Sequence, residues 1–382
     1  MRQLVLCSMF LCVVSLGATS SAALLSLSFE TSATTHAMGG YNTTVGNAWN
    51  SDPLMSYTNP ALAAFQEGFS YSVIKYKWLP DAFDDWNYHA AFAVIGYKGI
   101  ALTLPALNQN SNWGIYMDFG EQEQWDSAGN SLGTFHSYDA YKAYGVAINP
   151  FEVYREFAEN PHPVLKHFDL AMGMSYIDID SFMATLSGLT DSAAEVHTSI
   201  YNLGLLAKAK YRFGDFLNAE GSFGLTRFNP QNKKVSYIDS EYADPIVRYR
   251  NTGFGVFCSV PVEPIRDYVP SEYLLTDNLI SLKWLHGQHD ELFGYEDEIT
   301  TGYGVELGLL DTIYLRQGHY EDEAGGITGD TKGFGIKLHY KEYFAIRYNQ
   351  ASFPGGSLTK EHKSHDMGVN INFLKVMEAI RS

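Results

Sequence analysis

Of the 382 residues only three are cysteine, and two of them, Cys7 and Cys12, fall in the N-terminal leader described below. Cys258 is left alone, so an intramolecular disulfide framework is excluded. It alternates with Phe254, Val256 and Val260 and reads as a small hydrophobe, not a reactive thiol. Bases are scarce too: 26 Lys+Arg stand against 43 Asp+Glu, for a net charge of −17. With no basic cluster to displace counterions from a phosphate backbone, nucleic acid is excluded as a partner. Beyond the leader no stretch approaches the ~18 apolar residues of a transmembrane helix. Even 90–104 is interrupted by Gly96, Lys98 and Gly99. The Gly-x-Ser-x-Gly, Walker and dinucleotide fingerprints are missing. No segment offers the lipid-facing Ser and His that a barrel phospholipase needs, so no catalytic residue and no cofactor is assigned.

The leader itself is present. Met1 and Arg2 precede an apolar run from Leu4 to Leu16 and the small residues Ala18-Thr19-Ser20-Ser21-Ala22-Ala23. That is the order of a secretory signal peptide, read here as 1–23. Ser8-Met9-Phe10-Leu11 before Cys12 is not the sequence expected ahead of a lipidated cysteine. An exported membrane protein without apolar helices has one architecture open to it, a closed β-barrel, because nothing else satisfies its backbone groups in lipid. The expected location is the bacterial outer membrane, with outer-membrane lipid as the first partner.

Tyr numbers 26, Phe 23 and Gly 34, while the mean hydropathy is only −0.16. This suits strands with one apolar and one polar face. Phe334, Ile336, Leu338 and Tyr340 alternate with Gly333, Gly335, Lys337 and His339. Tyr303, Val305, Leu307 and Leu309 alternate with Gly304, Glu306 and Gly308, and Met367, Val369, Ile371 and Phe373 with Gly368, Asn370 and Asn372. A three-residue turn at Leu310-Asp311-Thr312 sets Leu307 opposite Leu315 and Glu306 opposite Arg316. A turn at Lys341-Glu342-Tyr343 sets Leu338 opposite Ile346 and Lys337 beside Arg347. Glu306, Arg316, Lys337 and Arg347 are thus candidates to face the lumen. Tyr76, Trp78, Trp86 and Tyr88 sit at strand ends, where interfacial girdles are expected. About fourteen strands follow from such runs. A short helix is expected over 151–160 and an irregular insertion over 262–277. The acidic groups Asp290-Glu291, Glu296-Asp297-Glu298 and Glu321-Asp322-Glu323 read as solvated loops in preference to a calcium site.

Met38-Gly39-Gly40, Val45-Gly46-Asn47-Ala48, Ser51-Asp52-Pro53 and Tyr57-Thr58-Asn59-Pro60-Ala61-Leu62 resemble the opening of the PorV/PorQ family within the FadL-like barrels. Tyr201-Asn202-Leu203-Gly204 is similar to a middle strand of those proteins. Tyr303-Gly304-Val305-Glu306, Leu315-Arg316-Gln317-Gly318, Gly333-Phe334-Gly335-Ile336 and His365 resemble their C-terminal third. Two features depart from the pattern: Ala48-Trp49-Asn50 where smaller residues belong, and the residues from Leu374 to Ser382 after the last strand. The resemblance implies an all-β, transmembrane antiparallel barrel with an N-terminal lumenal segment. Its divisions are a signal at 1–23, a plug at 24–66, a barrel at 67–374 and a tail at 375–382. Asp52, Asn59, Pro60 and Ala61 are the plug motif. From the residues alone, Asn-Pro reads first as a turn ahead of the first strand.

His286 with His289, and His362 with His365, have metal-type spacing. In loops that spacing imposes no common face, so no metal is assigned. The resemblance implies export of proteins in the manner of type IX secretion, with secretion components or exported proteins as partners. Its alternative is a FadL-like passage for hydrophobic small molecules such as long-chain fatty acids. The interior glycines 304, 308, 333 and 335, which leave room in the lumen, are the clue to the alternative.

Overall fold

Along the C-terminal wall strands the apolar and polar rows separate onto opposite faces, as a period of two allows, whereas 90–95 is apolar on both. The computed structural model describes residues 23–40, 52–125, 128–184, 193–235, 243–263, 277–292, 298–322, 326–340, 343–355 and 359–381. The leader up to residue 22, Val45 to Ser51, Phe293 to Asp297, Glu323 and most of the 262–277 insertion fall outside these. The wall begins with β1 (Gly68–Lys77), β2 (Asn87–Tyr97), β3 (Ile100–Pro105) and β4 (Ile115–Trp125). It continues through β5 (Ser131–Ile148), β6 (Phe168–Ala184), β7 (Ala193–Phe213) and β8 (Leu217–Phe228). A small ribbon, β9 (Lys234–Val235) with β10 (Asp244–Pro245), stands apart. Then come β11 (Tyr249–Pro261), β12 (Asn278–Glu291), β13 (Glu298–Leu309) and β14 (Ile313–Asp322). The wall ends with β15 (Ile327–Tyr340), β16 (Phe344–Pro354) and β17 (Glu361–Ile371).

Every wall pairing is antiparallel, and β1 pairs with both β2 and β17, so the sheet closes. Strands β3 and β4 share one place between β2 and β5, which makes a closed barrel of 14 strands. The registers match the alternation. Glu306 lies opposite Arg316 and Leu307 opposite Leu315; Lys337 lies opposite Arg347 and Leu338 opposite Ile346. Leu307, Leu315, Leu338 and Ile346 are exposed on the outer face, where lipid would lie, while Glu306, Arg316, Lys337 and Arg347 are buried inside. The tight turn at 310–312 marks the end assigned to the periplasm. At that end the helix Pro150–Phe157 caps on Asn149, whose side chain accepts from the Glu152 amide. A further helix, Phe373–Arg381, follows β17.

Three expectations need correcting. Tyr76 and Tyr88 are not girdle residues. They are cross-strand partners facing inward, almost fully buried, with ring centroids 4.7 Å apart. The histidine pairs lie on strands β12 and β17, not in loops, so residues three apart point to opposite faces; His289 and His362 are buried while His365 is exposed. Asp290, Glu291, Glu321 and Asp322 likewise end strands, and Asp290 is buried against Arg250.

The lumen is filled from the N-terminal side. Helix α1 (Ala33–Ala37), helix α2 (Met55–Thr58) and a 3-10 turn at Pro60–Phe65 run inside the wall and are buried throughout. Wall glycines make room for this plug. A Cβ on Gly302 or Gly304 would run into the backbone of Gly39 or Met38, and one on Gly173 or Gly204 into Pro60, Ala61 or Asn59. Gly304 and Gly333 therefore accommodate the plug, whereas Gly308 leaves space for Ser281 and Tyr314, and Gly335 for Asn349 and Arg316. Gly302→Leu should undock the plug at a cost of about 1–3 kcal/mol, read as a lower heat-modification temperature on electrophoresis. Gly221→Leu, with nothing within 4 Å of the new Cβ, should behave as the parent protein.

Candidate functional site

The plug is held by charge on one side and by backbone contact on the other. Asp52 forms an ion pair with Arg347 of β16, and both side chains are nearly fully buried. Arg347 also donates to Ser72 of β1. The second Asp52 oxygen accepts from Ser32 Oγ at 3.0 Å, and the first accepts the Leu54 amide at 3.0 Å. One carboxylate thus ties both plug helices to the wall. Beside it, Asp366 of β17 accepts the Ala33 amide at 2.9 Å and Asn349 Nδ2 at 2.6 Å. Asn349 Oδ1 accepts from Arg316 at 2.9 Å. Arg316 pairs with Glu306 at 2.6 Å, and Lys283 pairs with the same carboxylate at 2.9 Å. Asp52, Glu306, Arg316, Lys337 and Arg347 meet around one small polar cavity of about 40 Å³.

Asn59, Pro60 and Ala61 are elsewhere, against β6 and β7. Asn59 caps the 3-10 turn, its Oδ1 accepting the Ala61 amide at 3.1 Å, while its Nδ2 donates to Leu205 O at 3.2 Å. Asn202 of β7 returns a bond to Tyr57 O at 2.7 Å. Asn59 thus caps the turn before β1 and joins it to β7.

Two further features mark the barrel, one in its lumen and one in its wall. The first is a cavity of about 270 Å³ at the end of the barrel opposite the tight turns, lined by Phe29, His36, Tyr76, Trp78, Phe353 and His362 among others. These rings form a continuous chain of contacts. Phe29 stacks on Trp78 at 4.2 Å, Trp78 on His362 at 4.8 Å, His362 on Phe353 at 4.8 Å and Phe353 on His36 at 4.1 Å. The aromatics at the ends of β1 and β2 were visible in the sequence, but their inward orientation depends on the register.

The second feature is a break in the wall. On the β2 side the ladder passes from Phe92–Pro105 to Ala90–Ile115. On the β5 side it stops at Thr103–Gly145 and resumes at Ile115–Tyr141, so residues 142–144 have no ladder partner there. Residues 106–114 fold outward over the small residues Ala91 and Ala93, and Tyr71 Oη donates to Leu107 O at 2.8 Å. On a lipid-facing surface such a loop must satisfy its own polar groups. Asn108 does this, its Oδ1 accepting the amides of Asn110 at 2.9 Å and Asn112 at 3.1 Å. Behind the break stands the plug, where Thr103 Oγ1 lies 3.4 Å from Ser56 Oγ. Pro105 and the run Asn108 to Gly114 were the available turn signals.

Arg347→Ala strands a buried carboxylate and should destabilise the docked plug by about 3–5 kcal/mol, seen as faster proteolysis of the N-terminal segment. The pair Asp52→Asn with Arg347→Met should recover much of that loss. Acid acts in the same direction through His36. Burial, and then the charge of His362, hold its pKa down to about 3 from 6.5. The released segment binds the proton more readily, so the stabilisation is full above 6.5 and is withdrawn as pH falls towards 3. Proteolysis of the plug should accelerate between pH 7 and 4.5, and His36→Gln should flatten that dependence.

No protein-family model matches the chain, and no curated protein matches it. Among solved structures, a Pseudomonas aeruginosa FadL homologue aligns at 10% identity and a TM-score of 0.40, over 90% of this chain and 99% of that one. The Ralstonia pickettii toluene transporter TbuX aligns at 11% identity and a TM-score of 0.40, over 90% and 98%. The deltaS2S3 mutant of TodX, a monoaromatic hydrocarbon channel, aligns at 9% identity and 0.42, over 88% and 97%. No described helix is long and apolar enough to cross a membrane, and the closed, lipid-faced sheet makes this chain a transmembrane β-barrel of the bacterial outer membrane.

Proposed function

We propose that the barrel takes small apolar molecules from the cell exterior and releases them sideways into the membrane. The observation that carries this reading is the aromatic cavity at the end opposite the tight turns, which is the extracellular end of an outer-membrane barrel. An apolar cavity of about 150 Å³ holds benzene, so 270 Å³ suits a molecule of one or two rings. The plug blocks a straight path through the lumen. The wall break offers a lateral one, because the ladder between β3–β4 and β5 is already interrupted and the plug rests against it. Passage then requires the plug to shift, not the barrel to open its closed sheet.

The export role implied by the terminal motifs calls for an exported protein at the extracellular rim. No contact among the described residues requires such a partner, and a cavity of this size is matched to a small molecule.

The test is uptake of the fluorescent apolar probe N-phenyl-1-naphthylamine by cells producing the chain, with binding to purified protein measured in parallel. Trp78→Ala with Phe353→Ala should weaken binding by about tenfold or more, since buried aromatics carry most of the contact area. Deleting residues 106–113 restores the β3–β4 register, and it should leave binding intact while abolishing uptake. Uptake unaffected by either change would sink the proposal.

A further inference from the structure

The cavity just described has a charge character that its aromatic rings do not require. Glu30, Glu291 and Asp322 lie among its lining residues, and no lysine or arginine does. The Glu30 carboxylate accepts from Thr58 at 3.5 Å, and Glu291 stands 3.4 Å from His289. His36, the imidazole that the plug contributes, is kept neutral by burial. The connection between β1 and β2 carries Asp81, Asp84 and Asp85, and bases at this end are already engaged: Lys77 with Asp84 O, Arg248 with Leu292 O, Arg250 with Asp290, and Lys332 and Lys363 with Glu361. Four inward-facing cationic groups, Lys283, Arg316, Lys337 and Arg347, gather instead around the small polar cavity beside the Asp52–Arg347 pair, and Lys208 pairs with Glu220 on the wall.

Resting on the uptake reading above, we infer that the aromatic cavity selects apolar molecules by charge, preferring an ammonium to the carboxylate of the same size. Two effects act together. Electron-rich ring faces attract a cation, most strongly Trp, here Trp78 with Tyr76, Phe29 and Phe353 alongside. Carboxylates within ~8 Å of a bound charge, at an effective dielectric near 20, each shift binding roughly tenfold or more, in favour of a cation and against an anion. The acidic mouth adds long-range steering of the same sign, which salt screens. A free fatty-acid anion would meet three carboxylates with no base to receive it, so the hydrophobic cargo is a neutral or cationic molecule, with the cation bound more tightly.

The experiment compares three ligands with one apolar frame: 1-naphthylmethylamine (charged at pH 7), 1-methylnaphthalene and 1-naphthoate. Each is titrated into the purified full-length barrel at low and high salt, with intrinsic tryptophan fluorescence as the readout. The ammonium should bind at least about tenfold more tightly than the carboxylate. That ratio should shrink in high salt and in Glu30→Gln. Glu291→Gln at the rim tests the same point should Glu30→Gln fail to fold. Equal or tighter binding of the naphthoate overturns the charge selection and leaves the cavity as a binding site. A preference that neither substitution alters also overturns it. Failure of all three ligands to bind overturns the cavity reading itself, and the charge selection with it.

Discussion

The structure depends on a buried ion pair. Asp52 arrives with the N-terminal segment, Arg347 with a strand near the other end of the chain, and their contact inside the lumen binds plug to wall. Two charges taken out of water are tolerated only when their remaining bonding capacity is also met. Here Ser32, the Leu54 amide and Ser72 meet it. The neighbouring chain from Lys283 through Glu306, Arg316 and Asn349 to Asp366 extends the same solution across four more strands. Such a network has little tolerance for partial assembly: each group lost leaves another unsatisfied in a low-dielectric site. It is therefore suited to holding the plug in one position or releasing it, with few states between.

Much of the wall was legible because a period of two leaves little freedom. Once Leu307 and Leu315 are placed on the lipid face, Glu306 and Arg316 must meet on the other, and the register bears this out. Asp366 was equally within reach, since it shares the inward row of Gly368 and Asn370 in β17. The site as a whole was not. Alternation says which face a residue occupies but not what fills the lumen opposite it, so the partnership of Asp52 with Arg347 lay beyond it. The glycines show the same limit. Gly304 and Gly308 read alike in sequence, yet one receives the plug backbone and the other the wall side chains of Ser281 and Tyr314. Tyr76 and Tyr88 were placed at the membrane interface on the strength of their position at strand ends, and the pleat turns both inward.

The interior is divided by chemistry. Aromatic rings and carboxylates occupy the outer cavity, while Lys283, Arg316, Lys337 and Arg347 surround the inner polar one, where Arg347 pairs with Asp52 and Lys283 and Arg316 with Glu306. The plug lies between the two regions, with α1 contributing His36 to one and Thr34 to the other. The wall break sits beside α2, and its loop is folded onto the lipid face with its polar groups internally bonded. On the proposed route, a molecule held in the outer cavity is separated from the membrane by the plug and by an already interrupted ladder. Neither barrier requires breaking the paired strands of the barrel.

Locking the plug tests the account most directly. The hydroxyls of Ser56 and Thr103 lie 3.4 Å apart across the plug and the broken strand. Cysteines at these two positions, in a Cys258→Ser background, can be crosslinked and released in intact cells. The account predicts that uptake of an apolar probe stops when the crosslink forms and returns on reduction. Uptake that continues at the same rate with the crosslink in place would contradict it.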